Sequence, residues 1–298
     1  MSNRVTEMLG CKYPIIQGAM GIISNPEMVA AVSEAGGFGL LATAFADNVE
    51  IVGKQVASTK KLTDKPFGAN LFMMNPLSEE FARLLAVEGV KAVTLSGGSP
   101  KTLLPVLHEL GIHAMVVVPS AKVAVSAAAH GADAIVAEGS ESGGIQGYQG
   151  ASTMVLTPAV VDAVDVPVIA AGGIGDSRGY RAALALGAEG VQVGTRFIAT
   201  QECIAHAVYK DIIVQSAETG TELLDVGRMR VRALNTPLVQ KISSGEAVGD
   251  AVFGGKAMEA SWLRGDAAAG VLPAGQISGL IPGVVPVKDV IEEMVAAR

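Results

Sequence analysis

Two short loops in the second half of the chain carry residue types that bind anions. Gly172-Gly173 and Gly194-Thr195 each follow an apolar run, and glycine lets backbone N–H groups face a ligand without an intervening side chain. The helix predicted after Gly172-Gly173 would add the positive end of its dipole. Together the two loops favour a phosphate site, with the phosphate belonging to a cofactor or to a phosphosugar. The alternative is that these glycines only form tight turns.

A third loop, residues 143–147 with the sequence Gly-Gly-Ile-Gln-Gly, would let backbone approach a flat ligand closely. Before it, Glu138 ends an apolar run and is a candidate for hydrogen bonding in a pocket, whereas Glu141 is expected to be solvated. Gln146 and Tyr148 could orient a substrate carbonyl, or they could belong to a solvated loop.

The histidines and cysteines give little sign of metal chemistry. Neither residue type clusters at the spacing of metal ligands, and Cys11 and Cys203 are too few and too far apart for a disulfide framework. His206 follows the last predicted strand and could approach the site. The other three are predicted to be structural or exposed, namely His108, His113 and His130.

The elements that must position these loops are short apolar runs alternating with stretches of helical periodicity. The predicted strands are Pro14–Met20, Phe38–Thr43, Phe67–Phe72, Ala92–Gly97, His113–Val118, Ala134–Glu138, Pro167–Gly172 and Val191–Phe197. Eight strands in this alternation predict an α/β protein, a (β/α)8 TIM barrel whose active site lies where the strands end. An open doubly wound sheet is less favoured, because no Gly-x-Gly-x-x-Gly follows the first strand.

Helix boundaries follow from capping residues. The predicted helices are Pro26–Ala35, Val49–Lys60, Ser78–Val87, Lys101–Leu110, Ala121–His130, Pro158–Val164 and Ser177–Leu186. Starts are indicated by Asn25-Pro26, by Ser78 and by Thr157-Pro158. Glycines near positions 36, 89, 111, 131 and 187 are expected to end helices in the left-handed conformation.

After about residue 200 the strand–helix rhythm stops. We predict a barrel over residues 1–210 and, packed on it, a helical extension or lid over 211–298 that ends in a closing helix, Val287–Ala297.

Composition excludes several classes of protein. The 298 residues are 50% hydrophobic and only 17% charged, which argues against a disordered chain, and a net charge of −7 argues against nucleic-acid binding. The longest uncharged stretch, 267–287, contains three prolines and four glycines and is not a membrane span. With no apolar signal segment at its start, the chain is predicted to be cytoplasmic.

Five ordered strings resemble one known family. They are Tyr-Pro-Ile-Ile-Gln-Gly-Ala-Met at 13–20, Lys-Pro-Phe-Gly-Ala-Asn at 65–70, Ala-Glu-Gly with Ser-Gly-Gly at 137–144, Ile-Ala-Ala-Gly-Gly-Ile at 169–174 and Gln-Val-Gly-Thr-Arg-Phe at 192–197. A sixth, Ala-Gly-Gln-Ile-Ser-Gly-Leu, lies at 274–280. The chain resembles the FMN-dependent TIM barrels that comprise enoyl-acyl-carrier-protein reductase II and nitronate monooxygenase. Residues 63–68 and 205–210, with the late string, are more similar to the enoyl reductase.

The resemblance implies FMN across the barrel mouth, reduced by NADH or NADPH, and an activated C=C in an acyl thioester as acceptor, with acyl carrier protein as a candidate partner. It implies a homodimer as well. The implied FMN-binding residues are Gly18, Ala19, Met20, Asn70, Glu138, Gly143, Gly144, Ala171, Gly172, Gly173, Gln192, Gly194 and Thr195.

The chain departs from the family pattern at Ile145, where both branches usually have a histidine that serves as acid or base. Isoleucine cannot transfer a proton, so nitronate oxidation loses more support than ene reduction does. The proton could come from Tyr148, His206 or water. An NAD(P)H:quinone-type reductase that needs no positioned acid is an alternative, and a phosphosugar enzyme is a remote one.

Overall fold

A computed structural model describes residues 3–148, 150–226, 229–246 and 250–296. Its centre is a closed barrel of eight parallel strands in chain order, so the predicted (β/α)8 barrel is confirmed. The barrel strands are β1 Ile15–Gln17, β2 Phe38–Ala42, β3 Gly68–Phe72, β4 Ala92–Ser96, β5 His113–Val118, β6 Ala134–Glu138, β8 Val168–Ala171 and β9 Gly190–Val193. The barrel closes because β1 pairs with both β2 and β9.

Small and branched side chains fill the barrel, as its low aromatic content allows. Ile16, Leu40, Val136 and Ile169 are completely buried inside it, and Val5 of the first helix closes the end where the strands begin. Two larger apolar clusters lie between the barrel and the surrounding helices. Strands covered on both faces in this way are the reason that the sequence shows continuous apolar runs.

The helices largely follow the predicted periodicity. They are α1 Arg4–Leu9, α2 Pro26–Glu34, α3 Val49–Leu62, α4 Ser78–Val87, α5 Leu103–Glu109, α6 Ala121–Ala129, α7 Thr153–Val161, α8 Ser177–Ala185, α9 Thr195–Ile198, α10 Ala207–Val214, α11 Pro237–Ser243, α12 Gly255–Met258 and α13 Val287–Val295. The predicted left-handed glycines at helix ends are confirmed, since Gly36, Gly89, Gly111, Gly131 and Gly187 all have positive φ.

The start of one helix, the end of one strand and one helix cap differ from the prediction. Helix α7 starts at Thr153 and contains Pro158, because its first turn is capped from outside by the Glu141 carboxylate, which accepts from the Thr153 amide at 2.8 Å. The last barrel strand ends at Val193, because Thr195–Ile198 winds into α9. Ser78 does not cap α4, and its hydroxyl instead donates to the Phe72 carbonyl at 2.8 Å.

The region after the barrel is not entirely helical, contrary to the prediction. It contains an antiparallel hairpin, β10 Thr221–Val226 and β11 Met229–Leu234. A short strand from the barrel's own loop, β7 Gly144–Gln146, pairs with β11 to complete a three-stranded sheet. The alternation of charged and apolar residues in β11, Met-Arg-Val-Arg-Ala-Leu, is the pattern of a half-buried strand and was available in the sequence.

The extension reaches the barrel mouth at a second point. Trp262 lies in a π-helical turn, Glu259–Leu263, and a Cβ placed on Gly21 would be 3.2 Å from its ring and 3.0 Å from the Phe45 ring. The loop after β1 therefore lies between these two aromatic side chains.

Helix α13 closes the fold by packing against α2 and α8. Its start is fixed by Glu202, whose carboxylate accepts from the Val287 amide at 3.0 Å. It ends at Val295, and Ala297, the predicted last residue, lies outside the described residues. Within those residues no helix is both long enough and apolar enough to cross a membrane.

Candidate functional site

The rim where β6, β8 and β9 end brings the candidate residues to one level. Glu138 pairs with Ala171, and Ala171 pairs with Gln192 across the next strand. The loops that follow these residues therefore open on the same side of the barrel, as the barrel rule for active sites requires.

The two glycine loops after β8 and β9 form a cradle of backbone donors, which we call the amide cradle: Gly172, Gly173, Gly194 and Thr195. Gly172 and Gly173 have φ of 100° and 71°, and a Cβ on Gly172 would lie 2.9 Å from the Gly139 carbonyl oxygen. In the described parts of the chain, none of these four amides donates a hydrogen bond. Unsatisfied N–H groups converging at strand ends are suited to binding a phosphate.

Helix α8 contributes less to the cradle than its dipole suggests. The carboxylate of Asp176 caps it, accepting from the amides of Arg178 at 2.9 Å and Gly179 at 3.1 Å. The donors free for an anion are thus those of the loop before the helix.

The late Ala274-Gly275-Gln276 string forms one wall of the cradle. The Gly275 amide donates to Thr195 Oγ1 at 2.9 Å, and the Gln276 amide donates to the Glu141 carbonyl at 2.9 Å. A Cβ on Gly143 would lie 2.5 Å from the Ala274 carbonyl carbon, so only glycine fits there. These contacts join the extension directly to the predicted phosphate site.

Beside the cradle, Gln192 presents a polar atom that has no partner. Its Oε1 is buried and accepts no hydrogen bond from any described residue. A Cβ on Gly18 would lie 3.2 Å from Gln192 Cγ, so a side chain at that position would crowd the amide. A buried acceptor without a donor is costly unless a ligand supplies one.

The remaining candidates at the rim lie on β3 and in the loop after β1. The Asn70 amide donates to Thr94 Oγ1 at 2.9 Å, and its carbonyl accepts from Ser96 at 3.2 Å. The Met20 amide donates to Ser24 Oγ at 2.7 Å, which fixes the loop after β1. Ala19, in the same loop, packs on the barrel interior.

Comparisons with known proteins agree with this geometry. Residues 2–86 and 78–297 match the family model described as nitronate monooxygenase. The chain belongs to the nitronate monooxygenase family. This is the FMN-dependent oxidoreductase family that includes FabK, the enoyl-acyl-carrier-protein reductase II. The predicted resemblance is confirmed, and the protein is an enzyme of a flavin-dependent family.

Individual relatives of this family differ in their named reactions. The chain is 37% identical to FabK from Thermotoga maritima, with a TM-score of 0.91 over 99% of this chain and 95% of that one. It is 33% identical, over 99% of this chain and 95% of the relative, to (3aS,4S,5R,7aS)-5-hydroxy-7a-methyl-1-oxo-octahydro-1H-indene-4-carboxyl-CoA dehydrogenase of Rhodococcus jostii (strain RHA1). It is 35% identical to a probable nitronate monooxygenase of Staphylococcus saprophyticus over 76% of each chain.

Ile145 lies in β7 opposite Val231, and 47% of the residue is exposed. Alternation along the strand turns its neighbour Gln146 inward. The Gln146 amide nitrogen donates to the Ser140 carbonyl at 3.1 Å and to Ser142 Oγ at 3.1 Å. Gln146 is therefore buried and stabilises the loop after β6. Neither prediction for it, orienting a substrate carbonyl or belonging to a solvated loop, describes this role.

The other two predicted acid–base candidates are Tyr148, which is exposed, and His206, which caps a helix. Tyr148 is 57% exposed, and its backbone carbonyl accepts from Arg230 at 3.4 Å. His206 caps α10, with Nδ1 accepting from the Val208 amide at 3.2 Å, and a Cβ on Gly265 would lie 2.5 Å from its Cε1.

Contrary to the prediction, the Glu141 carboxylate is not solvated but hydrogen-bonded within the protein. Its carboxylate accepts from the Thr153 amide and, at 2.9 Å, from the Thr153 hydroxyl. This carboxylate therefore fixes the start of α7 relative to the loop after β6.

Arg232 is a residue of the site that the sequence did not reveal. It is 8% exposed, its Nε donates to the Ser140 carbonyl at 2.8 Å, and its Nη1 donates to Thr221 Oγ1 at 3.2 Å. Desolvation lowers the pKa of this guanidinium, and the nearby Glu141 charge opposes that shift. The extension thus holds the loop after β6 through a buried cation.

Glu138 is partly buried at the end of β6, on the same side of the strand as Ala134 and Val136, which pack inside the barrel. Desolvation raises the pKa of its carboxyl from 4.5 to about 7, and a hydrogen bond from the Ser142 side chain limits the rise. A carboxyl with a pKa near neutrality can exist in either protonation state during turnover.

Proposed function

We propose that this protein is an FMN-dependent NAD(P)H oxidoreductase that reduces an activated C=C, in particular that of an enoyl thioester. The observation that carries the proposal is the amide cradle, whose four backbone N–H groups and the adjacent Gln192 Oε1 have no hydrogen-bond partner among the residues that the structure describes. Such an arrangement suits a ligand that combines a phosphate with polar groups along a chain, as FMN does.

The residues present fit this cofactor. Gly172, Gly173, Gly194 and Thr195 would hold the phosphate, and Gln192 would accept from a hydroxyl or ring N–H of the ligand. Other FMN contacts are assigned to the neighbouring rim residues Gly18, Ala19, Met20, Asn70, Glu138, Gly143, Gly144 and Ala171. When bound, FMN supplies the hydride chemistry, and the protein supplies orientation and proton transfer.

Thioester reduction is favoured over nitronate oxidation by Ile145. Nitronate chemistry draws on a base at that position, and an aliphatic side chain cannot accept a proton. Two relatives that match nearly the whole chain, FabK and the carboxyl-CoA dehydrogenase, support an acyl-thioester substrate. A role in fatty acid biosynthesis is part of the proposal, with acyl carrier protein or coenzyme A as the acyl carrier and a homodimer as the assembly.

The deciding experiment records the flavin spectrum under anaerobic conditions. The purified protein is expected to be yellow or to become so with added FMN, and NADH or NADPH should bleach it. Crotonyl or longer enoyl thioesters should then restore the oxidised spectrum faster than a nitronate, a quinone or oxygen does.

Each other outcome points to a specific alternative. Fastest reoxidation by a quinone would identify a quinone-type reductase, and fastest reoxidation by a nitronate would identify a nitronate monooxygenase. A colourless protein that binds no FMN, yet is stabilised against heat by a sugar phosphate, would rule out the flavin proposal altogether.

A further inference from the structure

Glu138 differs from the other ionisable side chains around the mouth because its carboxyl is not committed to a structural task. Glu141 caps α7, His206 caps α10, and Asp176 caps α8 while pairing with Arg178. Among the described residues, Glu138 takes part in no ion pair.

The Glu138 carboxyl is oriented by a short chain of hydrogen bonds. Ser142 bonds the carboxyl, and Ser142 Oγ accepts from the Gln146 amide at 3.1 Å. Because Gln146 occupies a lone pair of Ser142, the hydroxyl proton of Ser142 is free to point to Glu138. Gln146 is itself fixed in β7, which pairs with β11 of the extension.

The charged groups on neighbouring elements do not neutralise Glu138. Strand β8 and helix α7 carry no charged side chain, and on α6 Lys122 is exposed. His113, on β5, lies at the opposite end of the barrel, and Arg232, on β11, is committed to Ser140 and Thr221. An uncompensated and partly desolvated carboxyl favours its neutral, proton-carrying form.

We propose that Glu138 is the acid that protonates the substrate carbon, taking the role for which Ile145 has no suitable group, with Ser142 and Gln146 orienting its carboxyl. This rests on the proposed reduction of an enoyl thioester. A hydride that bound flavin would supply from NAD(P)H would add to the β-carbon, and the π pair would move to the α-carbon. The Glu138 proton is transferred to that carbon, and the resulting carboxylate regains a proton from water.

The first test measures the carboxyl itself in the protein as purified. Wild type should show the infrared band of a protonated carboxyl that disappears as the pH rises through about 7. Glu138→Gln should lack this band, whereas Glu141→Gln, a change in the same loop, should retain it. Absence of the band in wild type at pH 6 would overturn the proposal.

The pH dependence of stability provides a second measurement. An unfolded glutamate ionises near 4.5, whereas folded Glu138 keeps its proton to about pH 7, so its contribution to stability falls as the pH rises between these values. In Glu138→Gln this part of the decline in melting temperature should vanish. An unchanged slope would contradict the assignment.

The third test separates the two half-reactions. Glu138→Gln should slow reoxidation of the flavin by an enoyl thioester at least about 100-fold more than it slows reduction by NAD(P)H, a typical contribution of a general acid. Glu138→Asp should recover part of the loss. If Glu138→Gln weakens FMN binding but leaves the two half-reactions in their wild-type ratio, Glu138 only anchors the cofactor and the proposal is wrong.

Ser142→Ala gives a directional control. Because the Ser142 hydrogen bond lowers the pKa of Glu138, its removal should move the alkaline fall of the acceptor half-reaction to higher pH. A lower rate with no shift would mean that Ser142 and Glu138 act only structurally. Failure of the proposed function would give a different result, because no enoyl thioester would then reoxidise the flavin of the wild-type protein. The first two tests would still decide the protonation state of Glu138.

Discussion

The two sides of the barrel mouth are built in different ways. The amide cradle after β8 and β9 consists of backbone donors set by local glycine conformations and carries no charged side chain of its own. The loop after β6 is held by hydrogen bonds from other elements, with the Arg232 side chain donating to Ser140 and the amide and hydroxyl of Thr153 donating to Glu141. The first side is suited to holding a phosphate group, which does not react during turnover, and the second to placing an acid group.

The cradle should be the more sensitive side to small substitutions. Gly172→Ala places a methyl group 2.9 Å from the Gly139 carbonyl oxygen at a φ of 100°, so the loop must move. We expect FMN affinity to fall more than tenfold, about 1.4 kcal/mol or more. Fluorescence titration of the flavin-free protein measures this.

Gly111→Ala is the matched control, because φ is 69° and no atom lies within 4 Å of the added methyl. It should cost only roughly 1–2 kcal/mol of stability from the left-handed conformation and leave FMN affinity unchanged. Equal effects of the two changes on affinity would remove the cradle from the FMN site.

Arg232→Met tests whether the extension holds the opposite side. Loss of the hydrogen bond to Ser140 should destabilise the protein by about 2 kcal/mol and slow the acceptor half-reaction, since a charged donor is lost from a buried position. Arg230→Met, on the same strand but paired with the exposed Asp225, should cost less than about 1 kcal/mol. Chemical denaturation and stopped-flow absorbance provide the two readouts. Weaker FMN binding with a wild-type rate of flavin reoxidation would contradict this prediction, because Arg232 would then support the FMN site and not the acid.

Glu141→Gln should destabilise the protein by about 1 kcal/mol, because the side chain caps α7 in the manner of an N-cap acceptor. The exposed Glu246→Gln is a control with no expected change. Thermal denaturation measures both. If Glu141→Gln melts like wild type, the cap does not fix α7.

Ile145→His should have the smallest effect on stability, within about 0.5 kcal/mol, because the side chain is half exposed on β7. It places a side chain that can transfer a proton at position 145. We expect it to increase the rate of flavin reoxidation in the otherwise wild-type protein and to rescue part of the loss in Glu138→Gln. Stopped-flow comparison of the single and double variants measures this. No change in either background would mean that position 145 does not reach the reacting carbon.

Prediction from sequence succeeded where the determining interactions are local. The eight apolar runs gave the barrel because parallel strands covered on both faces have no polar alternation, and strand ends gave the level of the site. The start of α7 was missed because Glu141 caps it across a loop. The hairpin was not predicted although Arg230 and Arg232 alternate with apolar residues. The burial of Gln146 was not predicted because its partners, the Ser140 carbonyl and Ser142, are brought to it only by the folding of the loop.

The sequence alone determined the barrel, its family and the glycine loops of the cradle, since these depend on local conformation and on ordered motifs. Only the tertiary structure decided which polar groups remain unpaired. Within the described ranges, Gln192 Oε1 and the cradle amides have no hydrogen-bond partner, whereas Glu141 and His206 are used as caps. Folding also leaves the Glu138 carboxyl partly desolvated beside Ser142. The sequence could not show this, because the protonation state of a carboxyl depends on the neighbours that folding brings together.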